Sequence, residues 1–211
     1  MTTVVRPLEP SNYAAAADIQ YEAFASDPLS GLIWGKVDPD ALRKAHIDSY
    51  SRLATESSRT LRKAVRGRAG DGEEEIVGIC VSAVIDTGDK REVKSDAPSA
   101  PGTDLDLLGQ VHSMIGNLIE GYKKKDAKFA HLTMVVVSPR TQRTGAGAAL
   151  LRKLIEDADA ADLPCYLESS EAGEGLYRKY GFVECAERPR CGPDGILTVL
   201  PMRRPARAEV A

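Results

Sequence analysis

Apolar positions at helical spacing alternate along this chain with short β-branched runs. Residues 13–26, YAAAADIQYEAFAS, set Ala16, Ile19, Ala23 and Phe24 on one stripe behind Asn12, which predicts a first helix. Residues 39–57 predict a second. Leu107, Leu108, Val111, Ile115, Leu118 and Ile119 mark another within residues 105–122, and Leu150, Leu151, Leu154 and Ile155 a further one. GEGLYRKYGF reads as a short helix with Gly181 at its exit. Between them, residues 60–65 and 76–85 read as strands joined through the glycine-rich acidic turn RGRAGDGEEE. HLTMVVVSP, beginning at His131 and stopped by Pro139, fits a buried strand, and PCYLESS and ILTVLPM supply two more.

Two stretches break the pattern. In DPLSGLIWGKVDP, Pro28 and Gly31 read as breakers, leaving an apolar loop around the single tryptophan, Trp34, that either lines a pocket or plugs the core. Residues 86–103 turn to Asp, Lys, Ser, Pro and Gly, too polar to offset chain entropy by burial, and predict a mobile insertion. No internal repeat is visible. The alternation predicts one α/β domain with a mixed sheet spanning residues 1–211, a length one core can serve.

Composition narrows the class. A net charge of −3 without a dense Lys/Arg cluster argues against a nucleic-acid surface. No run approaches the roughly 18 apolar residues of a membrane helix, so a soluble protein of the cytoplasm is expected. Cys80, Cys165, Cys185 and Cys191 lack CxxC spacing and histidine neighbours, so neither a metal site nor a redox pair is indicated.

The strand ending in VVVSP runs through RTQRTGAG into the helix AALLRKLIEDADAA. A turn entering a helix presents unpaired N–H groups at the positive end of the helix dipole, a natural seat for phosphate. Gly145 and Gly147 allow close backbone approach and Arg143 adds a charge; the competing view is a tight connection whose glycines serve geometry alone. The P-loop pattern fails, because neither glycine is followed by Lys and Ser or Thr. A dinucleotide fingerprint finds its first two glycines but Leu150 in place of the third; Glu168, at about the distance of a ribose-binding acid, keeps an oxidoreductase open as an alternative.

QRTGAG at 142–147 resembles motif A of the GCN5-related N-acetyltransferase (GNAT) family: Gln142, Gly145 and Gly147 fill its three defined positions. LYRKYGF at 176–182 resembles the family's motif B, in which a tyrosine precedes a Gly-Phe pair. The resemblance is clear over residues 131–182, and VVRPLEPSNYAAAADIQYEAF is similar to the family's first strand and helix. It implies a mostly antiparallel mixed sheet of six to seven strands, flanked by helices, with one splayed strand pair. It further implies acetyl-CoA as co-substrate, held by main-chain groups of Val135, Val136 and Val137 and by the turn of Gln142, Arg143, Thr144, Gly145, Ala146, Gly147 and Ala148.

Tyr177 matches the family's general-acid tyrosine. Glu168 is the first candidate for the base, with substrate orientation or a solvated strand-end charge as the other readings. His46, His112 and His131 have no evident ligand partners and read as surface or capping residues. No cysteine or serine has a recognisable activating partner, so direct transfer to a primary amine of a small molecule or peptide is expected, by a monomer or homodimer. The alternative on the same fold is an acyl-CoA-binding module without chemistry.

Overall fold

In the computed structural model, residues 2–67, 74–88 and 97–209 are described. The elements follow as β1 (Thr3–Pro7), α1 (Tyr13–Phe24), α2 (Pro28–Trp34), α3 (Pro39–Leu53), β2 (Arg59–Gly67), β3 (Glu74–Asp86) and α4 (Leu105–Lys125). Then come β4 (Lys128–Val137), α5 (Ala146–Ala160), β5 (Cys165–Ser169), α6 (Glu171–Lys179), β6 (Val183–Glu184), β7 (Arg190–Cys191), β8 (Leu197–Thr198) and β9 (Leu200–Arg204). The centre of the predicted hairpin turn, residues 68–73, lies outside the described residues, as do residues 89–96 of the predicted insertion.

Seven strands form one sheet in the order β1-β2-β3-β4-β5-β9-β6, with β4 and β5 parallel and every other neighbouring pair antiparallel. This is the mixed, mostly antiparallel sheet expected from the sequence. From Ile79 onward, alternation along β3 divides the core: Ile79, Val81, Ala83 and Ile85 pack under α1, α3 and α4, while Cys80 faces α5. On the α5 side, Leu150 and Leu151 are fully buried, and truncating either to Ala would cost about 2–5 kcal/mol. α6 lays Leu176, Tyr177 and Tyr180 against the same cluster.

Two sequence expectations need correction. The Trp34 stretch is a helix, because Asp27 caps it by accepting from the Ser30 N–H (2.7 Å) and Pro28 suits the first turn. It closes the core: Ile33 is buried with Leu107 and Leu108, and Trp34 Nε1 donates to the Pro98 carbonyl (3.0 Å). The final run ILTVLPM is two strands. β8 pairs only with β7 in a separate two-stranded sheet, and β9 enters the main sheet between β5 and β6.

Candidate active site

β4 and β5 are joined over three residue pairs, Ala130 with Cys165, His131 with Tyr166 and Leu132 with Leu167. Beyond Leu132, β4 continues to Val137 on β3 alone while β5 remains paired with β9, so the two strands splay. A β-bulge sits at the fork: Met134 opposes Val81 and Leu132 opposes Ser82, leaving Thr133 unpaired. The extra residue changes the parity of β4. Before it, Phe129 faces the α4 cluster; after it, Met134 and Val136 take that face, and Val135 and Val137 turn toward α5. Arg59 Nη1 donates to Thr133 Oγ1 (3.0 Å) and holds the bulge.

The splayed half of β4 leaves main-chain groups free. The Ser138 N–H donates to the Val77 carbonyl (3.0 Å), which fixes the alternation of the β3–β4 ladder. Val136 therefore spends its N–H and C=O on β3. Val135 and Val137 turn theirs the other way, into the gap that β5 has left.

The chain then passes through a short 3-10 turn, Pro139–Thr141, to exposed Gln142, Arg143, Thr144 and Gly145, and into α5. Gly145 has φ +94°, a left-handed conformation that glycine adopts freely, and Arg143 shares the region at φ +60°. Thr144 Oγ1 bonds the Thr141 carbonyl, and Arg66 reaches across from β2 to the Thr144 carbonyl while its Nε donates to Thr3 Oγ1 (2.8 Å). The turn is thus braced from two sides. The helical ladder begins with Ala149 N–H on the Gly145 carbonyl (2.9 Å), so the N–H groups of Ala146, Gly147 and Ala148 precede it and point out of the helix end. Gly147 lies close enough to the Val137 and Leu176 side chains that a Cβ there would stand 3.5 and 3.7 Å from them.

Tyr177 projects from α6 onto the α5-side core beside Phe182, with ring centroids 5.9 Å apart. Burial, and secondarily Cys80, pushes its phenol up to about 12, so it holds its proton throughout the neutral range. All four cysteines are free. Burial raises each of them, Cys80 and Cys165 to about 12 and Cys185 to about 11, so none is a thiolate nucleophile near neutrality.

Glu168 is not a solvated strand-end charge. Its side chain is 8% exposed on the α4 face of β5, where it accepts from Tyr122 Oη (2.9 Å) and pairs with His131 Nε2 (3.0 Å). His131, expected at the surface, is buried with its side chain 5% exposed. The sequence hid this pair because it depends on the β4–β5 register: His131 opposes Tyr166, one position before Leu167, and Glu168 follows on the same face. His46 is also buried, on the inner side of α3. The acid and the carboxylate candidates therefore lie on opposite faces of the sheet, Tyr177 toward α5 and Glu168 toward α4, with the splay between them.

A groove of 810 Å³ runs between α4 and the β7–β8 hairpin, lined among others by Gln110, Ser113, Asn117, Leu118, Arg190 and Cys191. Leu118, in its lining, lies one helical turn before Tyr122, which donates to Glu168.

Residues 110–204 match the family model described as an acetyltransferase (GNAT) domain. Among solved structures, the chain is similar to a histone acetyltransferase HPA2 and related acetyltransferase from Corynebacterium glutamicum, at 24% identity and TM-score 0.63, covering 98% of this chain and 97% of that one. It is similar also to the ribosomal-protein-S18-alanine N-acetyltransferase from Escherichia coli, at 17% identity and TM-score 0.54, covering 97% and 94%. PaiA N-acetyltransferase from Thermoplasma acidophilum, in complex with coenzyme A, matches at 13% identity and TM-score 0.50, covering 97% and 99%. No curated protein matches the sequence significantly. Residues 110–204 thus resemble a GNAT acetyltransferase domain, and the chain as a whole has the fold of these acetyltransferase structures. The dinucleotide alternative loses its scaffold, since a single parallel strand pair replaces the doubly wound sheet that such sites require.

Proposed function

We propose that this protein transfers an acetyl group from acetyl-CoA to the primary amine of a small molecule or peptide, by direct attack while both substrates are bound. The observation that carries the reading is the main chain of Val135 and Val137, turned into the β4–β5 gap immediately before a helix start with outward N–H groups. An amide-bearing pantetheine arm pairs with free strand groups as a further strand does, and a pyrophosphate suits the helix end at residues 142–148, with Arg143 exposed beside it. The complex of PaiA with coenzyme A supports the same ligand here.

The thioester is the activated acyl donor of this chemistry. In this reading the Val135 N–H, directed into the gap, stabilises the oxyanion that forms when the amine nitrogen attacks the carbonyl carbon, a contribution of about 3 kcal/mol for one donor. The carbon–sulfur bond then breaks. Tyr177, a phenol that stays protonated near neutrality, gives its proton to the leaving thiolate and regains one from the acylated nitrogen, which becomes a neutral amide. The absence of a thiolate among the described cysteines favours this direct route over an acyl-enzyme. The S18-alanine acetyltransferase among the structural neighbours supports peptide amines as one acceptor class. The two flanking faces divide the labour, cofactor on the α5 side and acceptor on the α4 side along the groove.

Calorimetric titration with acetyl-CoA, coenzyme A and NADH tests the binding, and free-thiol release with a panel of primary amines tests the chemistry. Micromolar acetyl-CoA binding with no NADH signal is expected. Tyr177→Phe should lower kcat by about 100-fold or more while leaving acetyl-CoA affinity nearly unchanged. Failure of the folded protein to bind coenzyme A would overturn the reading. Binding with a Tyr177→Phe variant as active as the parent would remove Tyr177 from the role of acid.

A further inference from the structure

A carboxylate held away from water must have its lone pairs occupied, and Glu168 has both oxygens engaged. Oε1 accepts from Tyr122 Oη at 2.9 Å and lies 3.3 Å from His131 Nε2, while Oε2 lies 3.0 Å from the same nitrogen. Burial, with the neighbouring Glu168 charge, raises the Tyr122 phenol far above its ordinary range, so Tyr122 donates and Glu168 accepts. The second partner must then also be a donor. His131 therefore carries its proton on Nε2, and its Nδ1 is left as a basic nitrogen that makes no hydrogen bond among the described residues.

The position of this nitrogen matters. His131 is one residue before Leu132, the last β4 residue paired with β5, so the imidazole stands at the fork of the splayed strands on the acceptor face. The surrounding titratable groups are Tyr122 from α4, Tyr166 from β5 with the Asp126–Arg203 pair behind it, and Cys185 and Lys125 nearby. Burial raises Tyr166 as it does Tyr122, and raises Cys185 to about 11. With Asp126 ion-paired and both phenols donating to carboxylates, His131 Nδ1 is the free proton acceptor that this set offers.

We propose that His131 is the proton acceptor of the transfer reaction and that Glu168 is its positioning residue. This rests on the acetyltransferase reading above. One proton passes from the nitrogen of the incoming ammonium to His131 Nδ1, and the freed nitrogen lone pair attacks the thioester carbonyl. The dyad begins with one net negative charge, which favours an approaching cation, and becomes neutral as the imidazolium pairs with Glu168. Tyr122 fixes the carboxylate so that the ring cannot turn over. This reverses the sequence expectation, in which Glu168 was the first candidate for the base and His131 a surface residue.

Long-range proton–nitrogen NMR correlation on the 15N-labelled protein reads the tautomer of each histidine without any substrate. His131 is expected as the Nε2–H form at neutral pH; an Nδ1–H form would overturn the proposal. In the kinetic arm, His131→Gln keeps an amide donor for Glu168 but has no basic nitrogen. With acetyl-CoA and the best acceptor among spermidine, a lysine peptide and an alanyl peptide, it should lose about 100-fold in kcat at neutral pH. Activity should return as pH rises toward the pKa of the free amine, with acetyl-CoA affinity within about twofold of the parent. Glu168→Gln should lose less, about 10-fold, because an oriented ring survives.

A His131→Gln kcat within about threefold of the parent, or a larger loss in Glu168→Gln than in His131→Gln, would overturn the assignment. Should His131→Gln fail to fold, the tautomer in the parent protein still decides. Should the parent release no thiol with any amine, the transferase reading falls separately, while the tautomer reports on the dyad.

Discussion

The His46 imidazole lies on the inner side of α3, the residue 5% exposed, with Nδ1 lacking any hydrogen-bond partner among the described residues. Burial lowers its pKa from 6.5 to about 4, because a charged ring in that place gives up its hydration without compensation. The unfolded chain takes up the proton as pH falls through 6.5, whereas the folded chain does so only near 4. Throughout that window the unfolded state binds more protons, so stability falls as pH falls and levels off below it.

The full effect is about 3 kcal/mol, and about 2 kcal/mol of it is already lost between about pH 7.5 and pH 5. For a chain of this size that corresponds to a drop in Tm of about 4–8 °C. His112, also lowered by burial, acts with the same sign, so the decisive comparison is with a His46→Leu variant. Denaturant unfolding of both proteins at the two pH values gives their stability difference at each. That difference should move by about 2 kcal/mol in favour of the leucine variant at the lower pH. A difference that stays constant between the two pH values would refute the reasoning.

Other perturbations separate binding from chemistry. At Gly145, φ +94° with no atom within 4 Å of a built Cβ, substitution by Val should cost about 1–2 kcal/mol of stability through backbone strain and weaken acetyl-CoA binding in calorimetry, without altering the pH dependence of turnover. At Gly173 an added Cβ would stand 2.9 Å from Tyr177 Cε2 and 3.2 Å from Ser169 Oγ, so Gly173→Ala displaces the phenol ring. Steady-state kinetics should show kcat reduced about 10-fold or more with acetyl-CoA affinity little changed.

Much of this architecture was open to a reading of periodicity. Leu150, Leu151 and Leu154 announce α5 because a helix against a sheet needs that stripe, and the glycines of QRTGAG announce its approach because the turn needs a left-handed residue at 145. Other features depend on partners distant in the sequence. Pro28 and Gly31 read as breakers, yet the Asp27 cap and the packing of Ile33 on Leu107 and Leu108 sustain a helix. ILTVLPM has one apolar texture, but its two halves pair with different neighbours. The bulge at Thr133 inverts which β4 residues face which layer, and no local propensity marks it. The His131–Glu168 contact follows from a parallel register set after α5 has crossed over, so neither residue advertises the other.

Among the described residues, three paired positions join the β1–β4 part of the sheet to the part made of β5, β9 and β6. Mechanically these are two plates sharing a short spine, with α5 laid across as the strap. A molecule that zips onto Val135 and Val137 lengthens that spine using the polymer's own backbone, without asking anything of the valine side chains. Such occupancy would bridge the two plates along one line, ending at the bulge and dyad at the crotch of the fork.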